Sequence, residues 1–380
     1  MLYASQTPNV MTPCPNSTAP PEGAGGANAT YLLLYAGEED PRTDVLRRYC
    51  YGVALPSICL LGIVGNVFNL IVLTRRNMRG TAYIYMRGYS AAALLAILLA
   101  LPFAWRVLVH KDEGHWLDVF PAFYFAHLEL SLGNGCLGVG VMMLLALTLE
   151  RYVSVCHPGR ARPILGSPMR AVLLIPVATF ILYLPSAFRS EVRVCHLLSQ
   201  NLTIYQRVET ELIKHPLYCF YTVVLEIIFK VIPIILLATL NLRILVVYRR
   251  SCEKRRRMTL CRTTSGEEDP RKFAEERRLV LLLGSTSILF LVCITPMVIL
   301  NITLSRDNLN KYPYQVFRAL ANLLEVINYS ITFYIYCLFS EDFRNTLLRT
   351  LHATSNPNAK GTMKQPPPTA TTTITHPRSF

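Results

Sequence analysis

The chain has 380 residues, of which 52% are hydrophobic and 16% are charged, and its formal net charge is +14. Its apolar residues form runs close to or longer than the ~20 residues that a helix needs to cross a bilayer, which predicts a membrane protein. Lys and Arg gather in the loops between these runs, a distribution that excludes a nucleic-acid-binding face. The sequence lacks a nucleophile motif, paired His ligands, metal-ligand Cys spacing and a phosphate-binding Gly loop, so no enzyme, metal site or cofactor is expected.

The amino-terminal 49 residues are rich in Pro, Gly, Ala, Asn and Thr, a composition that buries too little apolar surface to fix a fold. Asn16 and Asn28 begin Asn-x-Thr/Ser sequons, which are glycosylated only on the lumenal side of a membrane. The loop after the first span carries Arg75, Arg76 and Arg79, and basic loops stay in the cytoplasm. We therefore predict that residues 1–49 form an extracellular, glycosylated, disordered tail.

Seven apolar runs follow within residues 50–338. The predicted spans cover approximately residues 51–73, 83–109, 121–155, 170–188 and 217–248, then a run from near 273, then 314–338. In the first span, Asn66 is a lone polar residue that is expected to hydrogen-bond a neighbouring helix. In the third span, Gly133, Gly135, Gly138 and Gly140 would let neighbouring helices approach closely. The pattern predicts an all-α bundle of seven transmembrane helices.

The third span ends abruptly in charge, in the segment LLALTLERYVSVCHP. Glu150, Arg151 and Tyr152 come there directly after a long uncharged run. A charged pair at such a place is an interfacial anchor at the least. The later spans carry Pro233 in the fifth, Phe290 and Pro296 in the sixth, and Tyr336 near the end of the seventh.

The segments outside the later spans agree with an extracellular amino terminus. The loop over residues 189–216 carries a third sequon, at Asn201. After the seventh span, residues 339–351 place Phe339, Phe343, Leu347 and Leu351 on one helical face, which predicts an amphipathic interfacial helix. Residues 352–380, with consecutive prolines and a Thr-rich end, are expected to be a disordered cytoplasmic tail.

The number, order and spacing of the spans, together with LTLERYVSVCHP, FLVCITP and Gly65-Asn66, resemble the rhodopsin-like (class A) G-protein-coupled receptors. The segments TRRNMRG and LTLERYVSVCHP are most similar to the corresponding segments of invertebrate FMRFamide-type neuropeptide receptors. This resemblance implies a plasma-membrane receptor that transmits the binding of a neuropeptide to heterotrimeric G proteins, with arrestin as a further partner. It implies that the coupling and switch residues are Glu150, Arg151, Tyr152, Glu276 and Tyr336, and that the helix-packing and kink residues are Asn66, Pro233, Phe290 and Pro296.

Several positions depart from the family pattern. Ala93 stands where the family has an Asp in the second span, and Gly140 stands where it offers a Ser, so the usual sodium pocket is not expected. Ile294 replaces the Trp of the sixth span, and Thr332 replaces the Asn of the seventh. These changes leave open a receptor-like protein with weak or constitutive signalling. A transporter or channel is a further alternative, although internal repeats are lacking.

The cysteines depart from the family pattern as well. Ala126 occupies the position of the third-span Cys that family members bridge to the second outer loop, so Cys195 in that loop lacks the expected partner. A tail cysteine is expected to form a disulfide with Cys195. Cys50, at the mouth of the first span, is the better candidate, and a free thiol is the alternative.

Carboxylates in the middle and outer parts of the spans predict the ligand class. Glu129, Glu226 and Glu325 lie where an unpaired acid is costly and usually has a partner or a function. Lys230 is one helical turn from Glu226, and the two are expected to neutralise each other. A peptide ending in Arg-Phe-amide would bring a guanidinium suited to bidentate carboxylate binding. The candidate ligand-binding residues are Glu129, Glu226, Glu325 and Arg318.

Overall fold

The computed structural model describes residues 40–76, 78, 80–109, 115–157, 166–197, 202–261, 270–303, 308 and 311–355. Its helices are α1 (Pro41–Leu73, with a π-helical turn at Cys50–Ala54), α2 (Thr81–Val109), α3 (Val119–Cys156, with a π-helical turn at Tyr124–Leu128), α4 (Pro168–Tyr183, continued by a 3-10 turn at Leu184–Phe188), α5 (Pro216–Glu226, a π-helical turn at Ile227–Val231, and Ile232–Cys261), α6 (Pro270–Thr303), α7 (Tyr312–Ser330 and Thr332–Phe339) and α8 (Glu341–Ser355). The predicted helical membrane bundle is confirmed. The asparagines of the three sequons, Asn16, Asn28 and Asn201, lie outside the described residues.

The bundle has the lengths that a bilayer requires. Among the described residues, α1 to α6 each contain a stretch long and apolar enough to cross a membrane. α7 is interrupted at Ile331 and carries Arg318 and Glu325 in its first segment. Both charged side chains are buried against other helices rather than exposed to lipid.

α1 begins at Pro41, earlier than predicted, so the last nine residues of the expected disordered tail are helical. Asp40 caps the helix, because its carboxylate accepts a hydrogen bond from the backbone N–H of Arg42 at 2.9 Å. Side-chain hydrogen bonds from Arg42 lower the pKa of the Asp40 carboxyl. The Arg42 guanidinium also lies 4.5 Å from the ring centroid of Tyr312, so the capped end of α1 packs on the start of α7.

α3 is the most enclosed of the described spans. A Cβ atom at Gly135 would overlap the ring of Phe180 in α4, and a Cβ at Gly138 would lie 2.9 Å from Cγ2 of Thr179. The sequence predicted close helix approach at these glycines, and the α3–α4 contact requires both of them.

We expect Gly135→Ala to destabilise the protein, because the added methyl group displaces Phe180 and overpacking typically costs about 1–3 kcal/mol. Gly284→Ala in α6 is the matched control, since nothing lies within 4 Å of a Cβ at Gly284 and alanine is the better helix former. The measurement is the melting temperature of each purified variant in detergent. Equal melting temperatures would contradict the tight α3–α4 contact.

A three-stranded antiparallel sheet lies in the loops at one end of the bundle. β2 (Ser190–Leu197) and β3 (Leu202–Glu209) form a hairpin between α4 and α5, and β1 (His115–Trp116), between α2 and α3, pairs with the other edge of β3. The sequence predicted only a long loop over residues 189–216. This end of the bundle is called the sheet end below.

The opposite end of the bundle carries α8 and is called the α8 end. α8 begins two residues later than predicted and is capped by Ser340, whose Oγ accepts a hydrogen bond from the N–H of Phe343 at 3.2 Å. The Phe343 ring is buried beneath α7, edge-on to Phe333 and Tyr336. Arg344 donates to the carbonyl oxygens of the last turn of α7, which satisfies groups that a helix end leaves unpaired.

Candidate functional site

The charged end of α3 lies at the α8 end of the bundle. Glu150, Arg151 and Tyr152 occupy the last turns of α3 and are all half-buried. Oε1 of Glu150 is buried and makes no hydrogen bond within the described residues. The side chain of Glu276, in α6, is outside the described part of the structure, so its pairing with Arg151 stays a prediction.

Tyr336 lies close to this charged end. Together with Tyr89, Leu147 and Thr286 it lines a small cavity between α2, α3, α6 and α7. Its ring is buried and meets Phe343 of α8 edge-on, with 5.7 Å between the centroids. Tyr336 therefore contacts both the interior of the bundle and α8.

The four predicted packing and kink residues lie inside their helices. Asn66 donates a 2.9 Å hydrogen bond to the carbonyl oxygen of Tyr329, which joins α1 to α7. Pro233 is the second residue after the π-helical turn of α5, and Pro296 lies inside α6. Each proline removes one backbone hydrogen bond of its helix. Phe290 of α6 is buried in the core, six residues before Pro296.

Two tyrosines occupy the region between α2, α3 and α7. The usual sodium pocket of the family, which the sequence is not expected to form, would lie there. The rings of Tyr89 and Tyr329 stack with 6.1 Å between centroids, and the Tyr329 hydroxyl donates to the Leu137 carbonyl oxygen at 3.4 Å. A Cβ at Gly140 would lie 3.1 Å from the Tyr329 ring, so a serine there would crowd it. Aromatic surface thus occupies the space between α2, α3 and α7.

The Glu226–Lys230 pair of α5 faces the interior. Lys230 is buried and its Nζ forms an ion pair with Oε2 of Glu226, which confirms the expected neutralisation within the helix. Asn301 of α6 donates to the same oxygen at 3.5 Å. The pair therefore also links α5 to α6.

The charged residues of α7 lie deeper in the bundle. Glu325 is 3% exposed and lines a cavity, about large enough for one water molecule, with Ala96, Leu137 and Tyr329. Lys230 of α5 is buried in the same interior. Arg318 is buried two turns before Glu325 on the same helix. α5 and α7 thus place two acids and two bases in one region.

Glu129 has a partner that the sequence interpretation did not find. Oε1 of Glu129 accepts a hydrogen bond from Nε of Arg106 in α2 at 3.2 Å, and the two side chains are 2% and 1% exposed. Arg106 lies inside the predicted second span, and a charge at such a place usually has a partner. Glu129 is therefore held by Arg106, and its part in ligand binding stays a prediction.

The whole bundle matches a known family. Residues 65–331 match the model of the 7 transmembrane receptor (rhodopsin family), so the match runs from the middle of α1 to the break in α7. The chain belongs to this family. The members of this family are receptors rather than enzymes.

Several relatives of this receptor are known from nematode and fly. A probable G-protein coupled receptor of Caenorhabditis elegans, B0563.6, is 35% identical over 79% of the chain and 68% of the relative's length. The sex peptide receptor of Drosophila melanogaster is 24% identical over 78% of the chain and 71% of its own length. The FMRFamide receptor of the same fly is 24% identical over 78% of the chain and 53% of its own length.

The predicted Cys50–Cys195 disulfide of the receptor is wrong. Cys195, in β2, is disulfide-bonded, whereas Cys50 and Cys219 are free. Cys50 lies in the first π-helical turn of α1 and packs against the hydrophobic core, so its thiol is directed to the bundle rather than to the sheet. The residue bonded to Cys195 lies outside the described side chains.

We predict that Cys195 resists alkylation in the non-reduced receptor, whereas Cys219, which is exposed, reacts. Ahead of the first helix the sequence holds one other cysteine, Cys14, and we expect peptide mapping to find the Cys195 peptide joined to that of Cys14. Detection of the Cys50 and Cys195 peptides joined by a disulfide, or of an alkylated Cys195, would contradict this assignment.

Proposed function

We propose that the chain is a plasma-membrane receptor that is activated by a peptide and signals through heterotrimeric G proteins. Membership of the rhodopsin family supports the receptor class. Two relatives are named for peptides, the FMRFamide receptor and the sex peptide receptor of Drosophila melanogaster. We extend the peptide class from those proteins to this chain.

The observation that carries the ligand proposal is the charged interior of the sheet end. Glu226, Lys230, Arg318 and Glu325 lie on α5 and α7, and three of them are buried. Charges within a membrane bundle are costly and mark ligand, ion or proton sites. A ligand with both a charged and an apolar part suits such a site, since apolar side chains and Tyr329 line the cavity beside Glu325.

We propose that the ligand is an amidated peptide with a basic penultimate residue, and that Glu325 receives this base. The cavity beside Glu325 holds about one water molecule, so a guanidinium reaches the carboxylate only if α7 moves away from α2 and α3. Ligand binding would then favour a different helix arrangement, which is what a receptor switch requires. Glu226, whose side chain is one-third exposed, is the outer acid on the same path.

Coupling is proposed at the α8 end. Arg151 would contact the G protein, Glu150 or Glu276 would hold it in the resting state, and Tyr152 and Tyr336 would flank it. The basic side chains of Arg75, Arg76, Arg249 and Arg250 support a cytoplasmic α8 end, since positively charged loops remain in the cytoplasm. The sheet end and the sequons would then face outside, and arrestin would bind on the cytoplasmic side.

The test is a library of amidated peptides applied to cells that express the receptor, with calcium and cyclic-nucleotide readouts. We expect agonists among peptides with Arg or Lys before the final residue, and weaker responses to the same peptides with citrulline in that place. A receptor that responds at matched surface level to neutral peptides or small amines, and not to these, would contradict the proposed ligand class.

A further inference from the structure

Arg106 and Glu129 form a buried ion pair that joins α2 and α3 near the sheet end. Nε of Arg106 lies 3.2 Å from Oε1 of Glu129, and almost nothing of either side chain is exposed. The Arg106 guanidinium also lies 5.5 Å from the ring centroid of Phe103 and 5.6 Å from that of Phe125. An arginine held by a carboxylate and two aromatic rings is fixed in direction as well as neutralised.

The contacts of Phe125 extend this pair to the loop sheet. Its ring stacks on Trp116 of β1 at 5.3 Å and on Trp105 of α2 at 6.4 Å. Trp116 pairs with Tyr205 of β3, and Nη1 of Arg207 in β3 donates to the Phe125 carbonyl oxygen at 3.4 Å. A continuous set of contacts therefore runs from α2 through the start of α3 to the sheet.

The π-helical turn of α3 contributes to this arrangement. It covers Tyr124–Leu128 and ends directly before Glu129. Phe125 and Glu129 are four residues apart, and both reach the same guanidinium. Because one residue more or less in a helix turns everything beyond it by about 100°, the length of this turn decides whether Glu129 faces Arg106.

Ala126, inside the same turn, is buried and has no thiol, so no disulfide from this position ties α3 to the sheet. We infer that Arg106 is a positioning residue. Its ion pair with Glu129 fixes the rotation of α3 and the position of its sheet end. The contacts of Phe125 then hold the loop sheet against the bundle. The ligand path proposed above would then begin at the sheet end, whose geometry this pair fixes.

The test separates stability from positioning by using paired variants. Arg106→Met or Glu129→Leu alone removes the ion-pair partner of one buried charge, and we expect a loss of about tenfold or more in surface abundance. Arg106→Met/Glu129→Leu leaves no charge, so its abundance should return to within about twofold of the parent. Arg193→Ala is the matched control, because it breaks the Arg193–Glu191 pair, whose side chains are about half exposed.

Tryptophan fluorescence supplies a readout that needs no ligand. The chain has two tryptophans, Trp105 and Trp116, and both contact Phe125. Trp116 is buried, so it should resist acrylamide quenching in the purified parent and in Arg193→Ala, and become quenchable in the double variant. Arg106→Lys keeps the charge without the planar group, and should restore much of the protection.

The abundance and quenching results decide whether the Arg106–Glu129 pair has this positioning role. A double variant in which Trp116 stays protected would overturn the inference, as would single variants as abundant as the parent. The agonist arm rests on the proposed function: with a peptide agonist, we expect the double variant to lose about tenfold or more in potency at matched surface level. If no peptide activates the parent, the proposed function fails, and the fluorescence result still decides the role of Arg106.

Discussion

Replacement of Arg151 by alanine should reduce G-protein activation below detection, while leaving the receptor at the cell surface. Arg151 lies in the last turns of α3, half-buried, where a partner that enters between the helices at the α8 end meets it. A guanidinium offers five donors in a fixed geometry, and alanine offers none. The measurement is agonist-driven G-protein dissociation by energy transfer. Arg349→Ala, an exposed basic residue of α8, is the control for charge on the same side.

The acid that restrains Arg151 is tested by basal signalling. If an ion pair with Glu276 holds α3 and α6 together in the resting state, Glu276→Ala should raise agonist-free signalling, because the resting arrangement loses a contact that the active one lacks. Glu150→Ala tests the alternative acid. Unchanged basal activity in both variants, at matched surface expression, would remove the ion-pair restraint from this mechanism.

The transmembrane architecture could be predicted because a bilayer sets the length of each helix. α2 ends at Val109 as predicted, and α4 with its 3-10 turn ends at Phe188 as predicted. No such rule sets the length of a helix outside the lipid. The start of α1 depends on a cap at Asp40 and on contact with Tyr312, far away in the sequence.

The loop sheet shows the same limit. β1 has two residues, and its partner strand lies about 90 residues later, so neither periodicity nor length predicts the pairing. The bonded state of Cys195 also depends on where the strand is placed in space. A sequence supplies the candidate thiols but not the distance between them.

The two charged pairs of the interior show which contacts the spacing of residues along the sequence can predict and which it cannot. Lys230 follows Glu226 by four residues, and helical periodicity alone predicts their contact. Arg106 precedes Glu129 by 23 residues on another helix, so the contact depends on how α2 and α3 are rotated against each other. Glycine spacing predicted close approach of α3 to its neighbours, and not the rotation of α2 that brings Arg106 to Glu129.

Replacement of Glu325 by glutamine should cost a cationic peptide agonist more than about tenfold in potency, since a hydrogen bond to a charged group contributes about 1.5–3 kcal/mol. Glutamine keeps the size of the side chain in its small cavity, so the packing around Ala96 and Tyr329 should persist. The measurement is agonist potency at matched surface expression. Glu191→Gln, on the exposed face of β2, removes the same charge near the same end as a control.

A second peptide makes the assignment specific to the carboxylate. An agonist in which citrulline replaces the penultimate arginine keeps the planar group and loses its charge, so the parent should respond to it more weakly. If the arginine meets Glu325, the penalties are not additive, because each change removes the same interaction, and Glu325→Gln should respond to the two peptides almost equally. Independent penalties would assign the ligand's cation to another acid, of which Glu226 is the nearest to solvent.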